Sequence, residues 1–211
     1  VVASDLTFEA IAVGTTDRTL GTSCGIAADR TLWCWGQVLG ASGRLATPTQ
    51  LGTDTWKKIA LGNGHGCGIT EAGTMRCWGL NSAGQLGNGT FDASVTPVGA
   101  VIDNEDRTDW TEVAVFELLS VGDGSSCAID AEQAMYCWGT NYGGELGLGD
   151  QSSRVTPGQV AGSWSAVAVG ATHACGLQGA DLFCWGSNSH GQLGRPLPYS
   201  LGLPVQVLDP Q

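Results

Sequence analysis

Positive charge is scarce in this chain: nine Lys and Arg stand against twenty Asp and Glu, for a formal charge of −11 over 211 residues. Binding to nucleic acid or to anionic lipid headgroups rests on basic patches, so both partner classes are disfavoured. Long apolar runs are also missing. None approaches the roughly 20 residues of a membrane-spanning helix, so no membrane insertion is expected. No signal peptide stands at the start, and a chain opening at Val1 reads as a mature form. Cysteines two to four residues apart, the spacing of structural zinc knuckles, do not occur. The string Gly122-Asp-Gly-Ser-Ser126 contains a serine but lacks the strand-elbow context of a hydrolase nucleophile. No Ser/His/Asp or paired-carboxylate arrangement is legible, so neither catalysis nor a cofactor is expected.

What is present is repetition. Eight cysteines fall into four pairs, Cys24/Cys34, Cys67/Cys77, Cys127/Cys137 and Cys175/Cys184, and the second of each pair opens the tripeptide Cys-Trp-Gly. One unit written four times marks a repeat architecture, in which each unit buries its apolar face against the next. Each spacing lets the two cysteines face one another across a β-hairpin with a two- or three-residue turn. Folding each unit about its midpoint also opposes Ile26 with Leu32, Ile69 with Met75, Ile129 with Met135 and Leu177 with Leu182. Side chains alternate along a strand, so the cysteine and aliphatic pairs share one face. The other face carries a tryptophan opposite a small residue: Trp35 over Ser23, Trp78 over Gly66, Trp138 over Ser126 and Trp185 over Ala174. Both faces are apolar and need cover, as in the blades of a propeller.

Directly opposed residues in an antiparallel pair lie roughly 4.5–5.5 Å apart at Cα, within disulfide range, so four intra-hairpin disulfides are expected. Each closes a short loop worth about 2–3 kcal/mol. Such a framework belongs to an oxidising place, outside the cell, at its surface or in a periplasm.

Ahead of each hairpin an aromatic residue leads an alternating apolar stretch, from Phe8, Trp56, Trp110 and Trp164. Ahead of three of these lies a shorter proline-led segment, at Pro48 to Leu51, Pro97 to Val101 and Pro157 to Val160. Each blade thus has four strands. The reading is a single all-β domain, 1–211, with repeats at approximately 1–46, 47–96, 97–156 and 157–203 and a closing strand at 204–211. The first repeat lacks a proline-led strand, whereas a spare copy carrying Pro204, Val205 and Val207 follows the last repeat. The expectation is that this strand completes the first blade. It does so within its own chain, closing a four-bladed ring, or in a neighbouring chain, giving an eight-bladed pair or a head-to-tail fibre. A piece of a longer propeller is the third reading.

The stretches Trp78-Gly-Leu-Asn81-Ser-Ala-Gly84-Gln-Leu-Gly87, Trp138-Gly-Thr-Asn141-Tyr-Gly-Gly144-Glu-Leu-Gly147 and Trp185-Gly-Ser-Asn188-Ser-His-Gly191-Gln-Leu-Gly194 resemble the regulator of chromosome condensation repeat family. So do Gly62 to His65 and Gly170 to His173, as Gly-x-x-His before the first cysteine. The resemblance covers nearly the whole chain and implies a β-propeller of four-stranded blades, usually seven. The first repeat departs from it after Trp35. Members of the family include a nuclear exchange factor, a plant ultraviolet photoreceptor, ubiquitin-ligase accessory domains and a secreted inhibitor of β-lactamases. Fold therefore does not name the task. Acidity and the cysteine pairs disfavour the nuclear role, and one tryptophan per blade in core register reads as packing.

What remains is a non-catalytic extracellular binding or assembly module, with a secreted enzyme inhibitor or ligand-binding propeller as the alternative. The partner is a protein or a further copy of the chain. Function is expected where the repeats depart from one another. Thr15 to Gly21, with Asp17 and Arg18, interrupts the first repeat, and the third carries an insertion with Phe116, Leu118 and Leu119. Asp103, Glu105, Asp106 and Asp109 are oxygen-rich enough to hold calcium, although their spacing fits no EF-hand loop and a solvated acidic loop is the simpler reading. His65 and His173 alternate with Thr22 and Ser125 at one repeat position, which suggests a local hydrogen bond to a turn, and His190 reads as exposed. Asn88-Gly-Thr90 has the pattern of an N-glycosylation acceptor.

Overall fold

Alternation and turn chemistry build the same four-stranded unit four times. A computed structural model describes residues 6–15, 21–102, 109–115, 124–196 and 200–207, with the backbone alone for 110–115. The first blade consists of β1 (Phe8–Thr15), β2 (Gly21–Ala27), β3 (Thr31–Gln37) and the first half of β4 (Arg44–Leu61). The second half of β4 opens the second blade, followed by β5 (His65–Thr70), β6 (Met75–Gly79) and β7 (Ser94–Gly99). The third holds β8 (Trp110–Val115), β9 (Ser125–Asp130), β10 (Met135–Gly139) and β11 (Arg154–Val160), and the fourth β12 (Ala166–Val169), β13 (His173–Gln178), β14 (Asp181–Ser187) and β15 (Ser200–Gln206). All pairing within the blades is antiparallel.

The hairpin register is the one the cysteines dictate. Cys24 faces Cys34, Cys67 faces Cys77, Cys127 faces Cys137 and Cys175 faces Cys184, and all four pairs are disulfides with Cα atoms 4.0–4.1 Å apart. The aliphatic pairs and the Trp-over-small pairs take the partners expected of them. A three-residue hairpin turn needs one residue in the left-handed region. Gly73 supplies it at φ 81°, while Arg30 and Gln133 accept it at φ 69° and 65°. The glycine of Cys-Trp-Gly is required for a second reason. Gly36, Gly79, Gly139 and Gly186 all have φ between 93° and 110°, and a Cβ on any of them would collide with the backbone carbonyl of Gly21, Gly64, Gly124 or Thr172 on the neighbouring strand.

Among the described residues three clusters form the core, one at each junction between blades. The Cys face of the first blade (Cys24, Ile26, Leu32) packs on the Trp face of the second (Trp56, Leu61, Trp78). Cys67, Ile69 and Met75 of the second blade meet Trp138 of the third, and Cys127, Ile129 and Met135 of the third meet Trp164 and Trp185 of the fourth. The junctions are thus heterologous and repeat with one polarity.

The outer strands differ from the sequence expectation. β15 pairs with β14, placing Val205 opposite Cys184, and the Val207 amide donates to the Leu182 carbonyl at 2.8 Å. The strand of Pro204, Val205 and Val207 therefore completes the fourth blade and not the first. The first blade is completed by the Pro48 segment within β4, with Thr49 opposite Cys34 and Gln50 opposite Trp33. Each proline-led strand is the last strand of the blade before it, so blade boundaries fall one strand later than the repeat boundaries read from sequence. The reason lies in the pairing edge. After each hairpin the chain loops back to the free side of the strand it has just left, and β4 crosses from one blade to the next as continuous strand through Gly52 at φ 73°.

Candidate functional site

The repeat motif builds one rim of the blade array. In the long loop after β6 the buried Asn81 side chain accepts from the Leu86 amide at 2.9 Å and donates to the carbonyls of Thr90 and Asp92 at 2.9 and 3.0 Å. Asn141 repeats this in the third blade with Leu146, Asp150 and Ser152, and Asn188 begins it in the fourth with Leu193 and Arg195. The next motif position caps its own turn: Gln85 accepts from the Ala83 amide and Glu145 from the Gly143 amide. Burial pushes the Glu145 carboxyl above its usual range, with the Gly143 and neighbouring amides working against that shift.

The loops also latch adjacent blades. The Trp138 indole N–H donates to the Gln85 carbonyl at 2.9 Å, and the Trp185 indole N–H donates to the Glu145 carbonyl at 2.9 Å. Ser126 Oγ also donates to the Gln85 carbonyl, at 3.1 Å, and its lone pair therefore accepts the Nε2 proton of His65 at 3.0 Å. The expectation of a local turn bond for His65 is thus corrected. Its partner lies 61 residues away in the next blade.

His65 is fully buried, and desolvation lowers its pKa from 6.5 to about 4, the Asn63 backbone carbonyl opposing this. The folded protein therefore holds a neutral imidazole that the unfolded chain would protonate below pH 6.5. This contribution is complete above pH 6.5 and declines as pH falls toward 4, by about 3 kcal/mol in all. Denaturant unfolding at pH 7 and at pH 4.5 checks it. The His65→Ser variant, which copies Ser125, loses less stability between the two pH values than the parent does.

Backbone bonds define where the variable segments emerge. The Gly64 amide donates to the Thr15 carbonyl at 2.7 Å and the Leu80 amide to the Gly64 carbonyl at 2.7 Å. Thr140 and Ser187 make the equivalent bonds to Gly124 and Thr172. Turns between the first and second strands therefore share one rim with the starts of the long loops. Leu80 and Tyr142 are exposed at those loop starts. At this rim β1 ends at Thr15, whose carbonyl takes the Gly64 amide, and β9 is preceded by Gly124, whose carbonyl takes the Thr140 amide. Asp17, Arg18, Phe116, Leu118 and Leu119 themselves lie outside the described residues.

The other candidates are placed as follows. Asp103, Glu105 and Asp106 lie outside the described residues, whereas Asp109 lies with Asp130 and Glu132, their ligand atoms within 4.8 Å of one another. Asp130 Oδ1 already accepts from the Ala134 amide at 2.7 Å, holding the hairpin turn. Asn88 is half-buried, and its side-chain carbonyl accepts from the Thr90 amide, the Thr90 hydroxyl and Asn81 Nδ2. His173 is half-buried and its pKa is lowered by desolvation, and His190 is exposed beside Ser189. Between the first and second blades lies a cavity of about 30 Å³ lined by Leu39, Leu51 and Trp78, room for one water. Sequence reasoning missed the structural duties of Asn81, Asn141, Gln85 and Glu145. Their signal was the fixed five-residue interval from Asn to Leu.

Comparison with known proteins agrees with this construction. Residues 56–85 and 133–177 match the regulator of chromosome condensation (RCC1) repeat. The second match runs across a blade boundary, from β10 into β13, as the displaced outer strands require. The chain is 31% identical over 104 residues to the ultraviolet-B receptor of Arabidopsis thaliana, covering 49% of this chain and 22% of that protein. The chain thus spans under a quarter of that relative's length. Among solved structures, it superposes on yeast RCC1 (Prp20) bound to Kap60 with a TM-score of 0.76 at 20% identity, covering 97% of this chain and 50% of that one. Human WBSCR16 gives 0.74 at 20%, over 89% and 50%. At that identity the likeness shows the fold, a β-propeller of four-stranded blades. Two segments of the chain thus match the regulator of chromosome condensation repeat, on a β-propeller fold.

Proposed function

We propose that the chain is a rigid, non-catalytic protein-binding module of an extracellular or cell-surface compartment, whose contact surface is the rim bearing Leu80, Tyr142 and the strand ends at Thr15 and Gly124. The observation that carries this reading is the use of the motif's polar groups. Asn81, Gln85, Ser126 and His65 are buried and bonded to the scaffold itself, so recognition falls to the segments where the repeats differ. The four disulfides support an oxidising compartment. A propeller of the same fold is bound to a protein, Kap60, in its solved complex.

Cross-linking the purified chain in the extracellular fraction of its source, followed by peptide mapping, tests the proposal. Cross-links to the partner are expected on the rim and are lost in the Leu80→Asp and Tyr142→Asp variants. Free thiols in protein isolated without reductant would overturn the compartment. Turnover by the pure protein in a hydrolase panel would overturn the non-catalytic reading.

A further inference from the structure

The array has two unlike ends, and each is half of the junction that recurs inside it. The Trp face of the first blade carries Ile11, Val13, Trp33 and Trp35, opposite Gly25 and Ser23, with the Phe8 ring tilted against Trp35 at a centroid distance of 5.8 Å. Ile11 is 75% exposed and Val13 61%, whereas Leu61, the counterpart of Val13 in the second blade, is 5% exposed. At the other end the Cys face of the fourth blade leaves Leu177 and Leu182 36% and 42% exposed, whereas the matching Ile69 and Met75 are at most 1% exposed. Two apolar sheet faces of this kind call for cover.

The polar positions say what the cover is. Inside the chain the Gln85 and Glu145 carbonyls take the indole N–H of the next blade's tryptophan. Gln192 is the same position of the fourth loop, and Trp35 the same position of the first blade. The second-blade histidine bonds a serine one blade on, His65 to Ser126. At the third junction the pair is Ser125 with Ala174, and at the first it is Thr22 with Gly66. The histidine left over is His173, on the fourth blade, and the serine left over is Ser23, on the first. The fourth blade of one chain therefore matches the first blade of another in both the Trp-to-carbonyl and the His-to-Ser pairs.

We propose that two copies of this chain close a ring of eight blades head to tail, each Cys175/Cys184 face covering the partner's Trp35 face. Eight blades lie within the range of known propellers. Contact is face to face, without exchange of β15, which stays in its own blade. The junction is apolar while each chain carries −11, so association strengthens as salt screens the repulsion. The proposal is independent of which protein the rim binds.

Light scattering on the non-reduced chain is the test, with a mass of twice 21.7 kDa expected. Ile11→Glu and Leu182→Glu alter exposed side chains on opposite faces, so folding is preserved and is checked by near-ultraviolet circular dichroism. Each variant alone is monomeric, because every junction then contains one damaged half. Mixing the two restores a weaker dimer through one intact junction, where the Cys face of Ile11→Glu meets the Trp face of Leu182→Glu, while the other junction carries both substitutions. A monomeric parent chain at every concentration and salt tested overturns the proposal and assigns the faces to further blades or to another polypeptide. A ladder of masses beyond the dimer overturns the closed ring, and a dimer indifferent to both substitutions overturns the choice of faces.

Discussion

Replacing Cys127 and Cys137 together by alanine lowers the unfolding free energy by about 3 kcal/mol, because the ten-residue separation they close is released in the unfolded chain. Both sulfurs are fully buried against Leu146 and Trp185, so lost packing adds to the loop term. The Cys175/Cys184 pair offers a control. It closes nearly the same length, a separation of 9, but Cys175 is only half-buried on the open face of the fourth blade. In the monomer its double-alanine variant should lose less packing, since only Cys184 is buried there, and fall less far. Chemical denaturation without reductant measures both, and equal losses would show that packing around the third disulfide contributes nothing. Full reduction removes all four constraints at once. Their sum rivals the roughly 5–15 kcal/mol that holds a whole domain, so the reduced chain is expected to be unfolded at room temperature.

Trp138→Ala is the second large loss, about 3–5 kcal/mol, since an entire buried indole is removed from the junction between the second and third blades. Trp138→Phe separates the components. It keeps most of the apolar contact with Met75 and Leu86 but removes the donor to the Gln85 carbonyl, which retains only Ser126. A cost of about 1–2 kcal/mol is expected. Trp33→Phe is the comparison, because that indole is half-buried and bonds only to Thr31 two residues away, and its effect should be near zero. Urea midpoints of the three variants decide the matter. A Trp138→Phe variant as stable as the parent would remove the latch from the account of how blades are joined. The loop is shaped for this indole. Gly87 sits at φ 67°, and a Cβ there would lie 2.7 Å from Trp138 Nε1.

Much of this architecture was legible because the cysteines act as markers of register. Once Cys67 opposes Cys77, the period of two along a strand assigns Ile69, Met75 and Trp78 to their faces without further information. The outer strands were not legible in the same way. A segment such as that at Pro48 is flanked by a hairpin on one side and an aromatic strand on the other, and nothing in its own alternation says which edge it joins. In the structure the loops after β6 and β10 are tied down by Asn81 and Asn141, which return the chain to the hairpin it came from. His65 shows the same limit at the level of a side chain. Its alternation with threonine and serine suggested a small polar duty near a turn, but its partner is supplied by the next blade. The candidate rim was half legible: the insertions stood out against the repeat, while the meeting of the strand ends at Thr15 and Gly124 with the loop starts at Leu80 and Thr140 followed only from backbone bonds.

The sequence by itself determined what is local and periodic: hairpin register, disulfide partners and the two apolar faces, because each follows from spacing along one pair of strands. Only the tertiary structure decided what depends on contacts between units. It gave β15 to the fourth blade and His65 to Ser126, and it left the Trp35 and Leu182 faces open at opposite ends. The side-chain volumes packed at each junction belong to two blades at once, and no periodicity along the chain encodes how they fit together.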